Sequence, residues 1–206
     1  ECLKQADQLA TTLENPQIRG QIFNEMARLY LAKNMTEESI NILLKKKKLC
    51  QEHKVEVDEE ISALRLGLAY EQKGEFDKAI LVLKEGKRKA KEAGNSSCMG
   101  ALLRHLGFCL GEVNDITNAE DYFEASLLLA RGLGKRKEEL DILLRCGKIY
   151  VKSKDFEQAL NLLKEGLELA ENYHDKRHEG LFFIKIGDTY SLMQEKQNAM
   201  ENYMKA

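Results

Sequence analysis

Five copies of one pattern, spaced 40 residues apart, run through this chain of 206 residues. Each copy has a small residue, a bulky residue about one helical turn later, and a second small residue twelve positions after the first. The first position holds Ala27, Gly67, Gly107, Gly147 and Gly187; the second includes Tyr30, Tyr70, Tyr150 and Tyr190; the third includes Ala79, Ala119, Ala159 and Ala199. A period of this length is typical of repeats that bury their apolar faces against their neighbours.

Each copy contains two apolar stripes with helical periodicity. In the fourth copy Leu140, Leu143 and Gly147 recur at the spacing of one helix face, and a second stripe begins at Phe156 after a short polar turn. The pattern therefore predicts a pair of antiparallel helices in every copy, here called the first helix and the second helix of a repeat.

The small residues and the turn residues indicate how the two helices meet. We expect Gly147 and Ala159 to be small because the helices cross closely there, and Tyr150 to fill the gap beside the glycine. Gly74 and Asn114 fall in the turns, where a left-handed residue can end a helix.

The repeat frame, in which equivalent positions recur every 40 residues, predicts where the units begin and end. Apolar residues from Leu3 to Leu13 indicate the second helix of a preceding, truncated repeat, and the fifth repeat stops within its second helix. Because neither end supplies a polar capping helix, we expect one solenoid domain of a longer protein. The expected segments are 1–14 (truncated), 15–54, 55–94, 95–134, 135–174 and 175–206 (incomplete).

Composition excludes several other classes of protein. One proline and 7% aromatic residues favour helices over linkers or a β-sandwich, and 43% apolar residues suffice for a core. A formal net charge of −2 argues against nucleic-acid binding by overall charge. No apolar run approaches the roughly 20 residues of a membrane span. Five cysteines without paired spacing indicate reduced thiols, so cytoplasm is the expected compartment, with the nucleus as the alternative.

The apolar-Gly-x-x-Tyr core at Cys146–Tyr150, the later Ala159 and the apolar Leu163 four residues on together resemble the tetratricopeptide repeat, and the resemblance covers almost the whole chain. The chain departs from the family in two ways. It lacks the family's helix-ending proline, and its repeats are 40 residues long, whereas the family's common period is about 34 residues. The family's tryptophan position holds Phe23, Ala63, Leu103, Leu143 and Phe183. The resemblance implies an all-α superhelical solenoid of stacked antiparallel helix pairs, with the first helices on its concave face.

The resemblance also implies a partner-binding groove along those first helices. Five arginine and lysine residues make the expected floor of this groove moderately basic, which suits an acidic or amphipathic peptide from another protein. The alternative is that some of these side chains are merely solvated. The predicted groove residues are Asn24, Arg28, Arg65, Arg104, Phe108, Lys148 and Lys152.

Cations also cluster near the ends of the second helices, and we call them the basic rim. They can stabilise helix C-termini by about 0.3–1 kcal/mol each, or they can form a docking strip for an acidic surface such as a tubulin tail or nucleic acid. The basic rim comprises Lys45, Lys46, Lys47, Lys48, Lys84, Lys87, Arg88, Lys89, Lys91, Arg131, Lys135, Arg136, Lys137, Lys176 and Arg177.

No catalytic motif is present in the sequence. It lacks a Gly-rich phosphate loop, a Gly-x-Ser-x-Gly elbow and a His-Glu-x-x-His pair. His174 and His178 have the spacing of a helical metal pair but fall in an expected turn without an obvious third ligand. We therefore expect no enzyme activity, no cofactor, no metal and no small-molecule substrate.

These observations predict a non-catalytic scaffold or adaptor for protein–protein interaction. By resemblance, the favoured setting is a cytoskeletal or ciliary assembly. Two alternatives stay open: a nuclear or signalling adaptor, or the regulatory arm of an enzyme whose catalytic domain lies outside these residues.

Overall fold

A computed structural model describes residues 2–13 and 15–206, with only the backbone of Leu3, Lys4 and Asp7. The predicted apolar role of Leu3 thus lies outside the described residues. The described part contains helices and no strand, which confirms the all-α prediction. The helices are α1 Cys2–Thr12, α2 Pro16–Ala32, α3 Thr36–His53, α4 Glu59–Gln72, α5 Phe76–Glu92, α6 Ser96–Glu112, α7 Ile116–Gly132, α8 Arg136–Lys152, α9 Phe156–Asn172, α10 Lys176–Leu192 and α11 Lys196–Lys205.

The chain divides into two compact units, Glu1–Cys109 and Leu110–Ala206, with the division inside α6. In the first unit α2 packs on α3 and α4 packs on α5, while α2 also contacts α4. In the second unit α8 packs on α9 and α10 packs on α11, while α8 also contacts α10. Within each unit, a first helix thus packs on its own second helix and beside the first helix of the next repeat.

Left-handed residues end the helices at the same repeat positions. Gly74 and Asn114 have φ angles of 74° and 67°, as predicted for the turn inside each pair. Lys154 and Gln194 adopt this conformation in the later repeats although neither residue type favours it. The connections between repeats use a second set of left-handed residues, Lys54, Gly94, Gly134 and His174. The stacking of the helix pairs therefore imposes this turn even where the local sequence does not encode it.

The glycine of the first helix is required by close packing against the second helix. A Cβ atom on Gly147 would lie 2.6 Å from Cδ2 of Leu163, and one on Gly187 would lie 2.6 Å from Cε1 of Tyr203. The side chain that faces Gly147 is therefore that of Leu163, four residues beyond Ala159. Both Ala159 and Leu163 are fully buried. The helices cross closely as predicted, but a large side chain of the second helix fills the space above the glycine.

Tyr150 of the fourth repeat makes a polar contact with the preceding repeat. Tyr150 is half-buried, and its hydroxyl donates a hydrogen bond to the carboxylate of Glu120 on α7. Burial together with this neighbouring carboxylate raises the pKa of the Tyr150 phenol well above its ordinary value. The hydroxyl of Tyr150 thus bonds the first helix of one repeat to the second helix of the preceding repeat.

Each unit has its own apolar core, built from both helices of a repeat. In the first unit Phe23 and Met26 of α2 pack with Ile42 and Leu43 of α3. In the second unit the cluster comprises Leu140, Leu143, Leu160, Leu163, Ala170, Phe182 and Ile186. Because α10 supplies Phe182 to a cluster formed mainly by α8 and α9, adjacent repeats share a core.

Replacing Gly147 by leucine should destabilise the second unit, because the new side chain would overlap Leu163. We expect the free energy of unfolding to fall by about 1–3 kcal/mol, or more if the helices separate. Urea unfolding followed by circular dichroism measures this change.

Gly132→Leu is the matched control, since a Cβ atom on Gly132 has no other atom within 4 Å. This variant should change stability by less than about 0.5 kcal/mol. Equal unfolding midpoints for the two variants would contradict the packing described for Gly147.

Candidate functional site

Two of the predicted groove cations in the first unit converge on a single carboxylate. Nε of Arg28 lies 2.7 Å from Oε2 of Glu25, one turn away on α2. Arg65 reaches across from α4, with its Nη2 3.0 Å from Oε1 of Glu25 and its Nη1 bonded to the backbone carbonyl of Asn24. Because Glu25 and Arg65 are one repeat period apart, the same frame position of adjacent first helices meets here.

The electrostatics of this cluster favour the ionised carboxylate. Hydrogen bonds from Arg28 and from Arg65 hold the pKa of Glu25 below its ordinary value of 4.5, against a smaller opposing effect of burial. Two cations on one carboxylate leave one net positive charge. Arg28 and Glu25 are exposed to solvent, so the ion pair between them is screened and contributes little to stability.

The second unit repeats this arrangement with lysines. Nζ of Lys152 lies 2.8 Å from Oε2 of Glu112 and also donates to the Glu112 carbonyl oxygen at 2.7 Å. Nζ of Lys148 lies 3.4 Å from Oε1 of the same residue. Burial raises the pKa of Glu112, but the two ammonium groups outweigh it and the net pKa is lowered. Glu112 and Lys152 are again one period apart.

The other predicted groove residues are less exposed. Asn24 is 3% exposed, and its Oδ1 accepts a hydrogen bond from Ser62 at 2.9 Å. Phe108 is buried and makes an edge-to-face contact with Phe76, with ring centroids 6.3 Å apart. Arg104 lies half-buried on α6. The structure therefore places Asn24 and Phe108 in the interior, because each packs toward a neighbouring helix.

Sequence reasoning missed the two carboxylates that organise these clusters. The sequence prediction considered only the cations of each first helix. The carboxylate that pairs with such a cation lies 40 residues earlier, on the first helix of the preceding repeat. Glu25 precedes Arg65 by one period and Glu112 precedes Lys152 by one period, so the repeat frame did contain the signal.

Part of the basic rim is also ion-paired. Nζ of Lys89 lies 2.7 Å from Glu59, and Arg131 contacts Glu139 at 2.6 Å and Glu165 at 2.7 Å. Lys46 is only 2% exposed, so its predicted place in the basic rim is wrong. Within residues 2–13 and 15–206, Lys45, Lys47 and Lys84 form no ion pair.

The two histidines considered as metal ligands do not share the expected turn, because His174 follows α9 whereas His178 is buried on α10. Nδ1 of His178 lies 2.8 Å from Asp175 and its Nε2 lies 3.3 Å from Asp141. His174 is a left-handed residue after α9. Among the described residues, no group of three or more His, Cys, Asp or Glu side chains is placed to hold a metal ion. None of the helices described is both long and apolar enough to cross a membrane.

Comparison with protein families gives one consistent description. Models of the tetratricopeptide repeat match residues 62–93, 98–172 and 182–206, which together make up more than half of the chain. A comparison with curated proteins found no match.

Solved structures with the same fold include proteins of distant sequence. BtubC (BKLC) from P. vanneervenii is 17% identical with a TM-score of 0.75, over 97% of this chain and 83% of that one. The repeats of a putative kinesin light chain from Podosopora anserina are 15% identical with a TM-score of 0.74, over 94% of this chain and 95% of that one.

A third similar structure contains a bound peptide. The Rap conjugation gene regulator of the plasmid pLS20, in complex with the Phr* peptide, is 15% identical with a TM-score of 0.72. The match covers 89% of this chain and 51% of that one. At these identities the likeness concerns the fold.

The charge cluster at Glu25 can be tested by titration. Arg28→Gln should raise the pKa of Glu25 toward 4.5, because it removes the hydrogen bond that contributes most to lowering this pKa. Carboxyl-detected NMR on the full chain measures this pKa. Since the folded pKa is lowered, the contribution of Glu25 to stability is complete above about pH 4.5 and is lost as the pH falls through the folded value.

Lys33→Gln is the control, because it removes a cation beyond the end of α2 that does not act on Glu25. The Glu25 pKa should stay lowered in this variant. An unchanged pKa in Arg28→Gln would show that Arg28 does not hold the carboxylate.

Proposed function

Because this chain belongs to the tetratricopeptide repeat family, we propose that it is a non-catalytic scaffold that binds a segment of a partner protein along its first helices. The observation that carries the proposal is the pair of charge clusters, at Glu25 in the first unit and at Glu112 in the second. Each presents two cations around one carboxylate on a first helix.

The chemistry of these clusters suits a partner segment with acidic side chains. Each cluster keeps one positive charge in excess, and its long side chains are already ordered by the internal carboxylate. A partner carboxylate that approaches Arg28 or Lys148 gains a charge-assisted hydrogen bond without the full cost of ordering a free side chain. The internal acids limit the strength of this attraction, so we expect specificity to depend on the neighbouring contacts as well.

The Rap regulator in complex with the Phr* peptide supports a peptide-like partner, as a likeness of fold. The putative kinesin light chain repeats support a cytoskeletal setting on the same basis. We therefore propose an acidic or amphipathic protein segment as the partner and a cytoskeletal or ciliary assembly as the setting, with a nuclear or signalling adaptor as the alternative.

Opposite charge changes at the same clusters test the proposal. Arg28→Gln combined with Lys148→Gln should weaken binding of acidic partners, whereas Glu25→Gln combined with Glu112→Gln should strengthen it, each by a few-fold to about tenfold. Quantitative co-precipitation from cell extract, read by mass spectrometry, compares the partners of the two variants with those of the wild type.

Lys33→Gln combined with Lys154→Gln is the matched control, because it removes the same charge outside both clusters and outside the basic rim. Partners that respond in opposite directions to the first two variants and not to the control identify the first helices as the binding surface. Identical partner lists for all the variants, with normal helical content, would refute the proposal.

A further inference from the structure

A groove of about 560 Å³ opens in the first unit between the two second helices α3 and α5. Leu43, Leu44 and Lys47 of α3 line one side, and Leu81 and Lys84 of α5 line the other. Ala63 and Leu66 of α4 line it between them. The predicted partner surface on the first helices uses Arg28 and Arg65, neither of which lines this groove, so the two surfaces are distinct.

Residues that break the repeat frame meet in this groove. One frame position of the second helix is small in four repeats, as Gly86, Ser126, Gly166 and Ala206. The first repeat alone has a long side chain there, Lys46. In other repeats a small residue at this position lets the first helix of the next repeat pack closely against the second helix. A Cβ atom on Gly86 would lie 2.8 Å from Leu102 of α6 and equally close to Ala63 of α4, and one on Gly166 would overlap the ring of Phe182 of α10.

Lys46 is buried rather than extended into solvent. Its ammonium group donates hydrogen bonds to the carbonyl oxygen of Val57 and to the hydroxyl of Ser62, on the connection to α4 and on α4 itself. That connection also differs from the others, because Asp58 is left-handed and α4 begins later in its frame than α6 or α8. Desolvation lowers the pKa of Lys46. A side chain thus occupies the place where a small residue would let the helices close together.

Two apolar residues break the frame as well, and both are exposed. Leu81 is 72% exposed, and the other repeats have Asn41, Asp121, Asn161 and Glu201 at its position. Leu44 is 46% exposed where the next three repeats have Lys84, Glu124 and Lys164 and the fifth has Met204. The groove therefore exposes two apolar side chains at positions that hold polar residues in most other repeats.

The charge around the groove is predominantly positive. Five lysine or arginine residues line it against two carboxylates, Glu59 and Glu85. Glu59 is paired with Lys89 and Glu85 is paired with Arg88. Lys47 and Lys84 form no ion pair within the described residues, and Lys47 stands where the third and fourth repeats place Leu127 and Leu167. Two cations that form no ion pair within the described residues therefore flank an apolar surface.

We propose that this groove binds an amphipathic α-helix of a partner protein, with its apolar face on Leu44 and Leu81 and with acidic residues beside Lys47 and Lys84. A helix suits the site because apolar residues spaced three and four apart would lie along a groove bounded by two helices. Acidic flanks follow from the charge complementarity with the lysines. This is a second site, and it stands or fails independently of binding on the first helices.

A display selection tests the proposal with no partner chosen in advance. The whole chain is used to select from a random library of peptides of about 16 residues, a length that can form an isolated helix. We expect enrichment of acidic peptides with apolar residues at helical spacing. The selected peptides are then measured against the variants by fluorescence anisotropy.

Substitutions borrowed from the other repeats separate the apolar contacts from the charge. Leu44→Lys with Leu81→Asn should weaken the selected peptides by at least about tenfold although it adds positive charge. Leu81→Asn alone, at the more exposed position, keeps the test valid if the double variant does not fold. Leu128→Asn is the matched control, since Leu128 is 73% exposed on α7 and lies outside the groove.

Charge variants test the acidic character of the occupant. Lys47→Gln with Lys84→Gln should weaken binding several-fold and flatten its dependence on salt, whereas Lys33→Gln with Lys154→Gln should do neither. Selection of no peptides, or of peptides that are basic or lack helical spacing, would overturn the proposal.

Two further outcomes would also overturn it. Selected peptides that respond to Arg28→Gln with Lys148→Gln but not to the groove variants would place binding on the first helices instead. Concentration-dependent dimerisation in light scattering, abolished by Leu44→Lys with Leu81→Asn, would show that a second copy of the chain occupies the groove.

Discussion

Close approach of the two helices in each repeat is the constraint on which the rest of this structure depends. Where Gly147 lies against Leu163, the absence of a Cβ atom brings the backbone of α8 close to a large side chain of α9. That distance sets how much apolar surface the pair buries, and burial of this surface is the main favourable term in the folding of such a repeat. The left-handed turns are then accepted even at Lys154 and Gln194 because the packed helices determine where the chain must reverse.

The same regular stacking produces the charge clusters on the first helices. Adjacent first helices lie side by side with equal frame positions in contact, so a residue meets its counterpart one period away, as in Glu25 with Arg65 and Glu112 with Lys152. A repeat protein can therefore tune one surface by substitutions a full period apart. The result is a surface with modest, ordered positive charge rather than a continuous basic strip.

Departures from the frame create the features that distinguish one unit from another. Burying the ammonium group of Lys46 has a desolvation cost, which its hydrogen bonds to Val57 and Ser62 offset in part. Local conflicts of this kind are tolerated in folded proteins most often where they serve function. Buried Lys46 and the exposed Leu44 and Leu81 all depart from the repeat pattern, and all three line one groove. A single binding site in that groove explains the three departures together.

The sequence by itself determined the class of fold, the repeat period, the helix pairs and the close crossing at the glycines, because these follow from local periodicity and from the size of side chains at fixed spacing. It also located the cations of both clusters. Only the tertiary structure decided that Leu163 faces Gly147, that Asn24, Phe108 and Lys46 are buried, and that Glu25 and Glu112 neutralise part of the predicted basic surface. These outcomes depend on which side chains of different helices meet in space. A one-dimensional pattern specifies the face of each helix, but the neighbour across that face is set by how the helices pack.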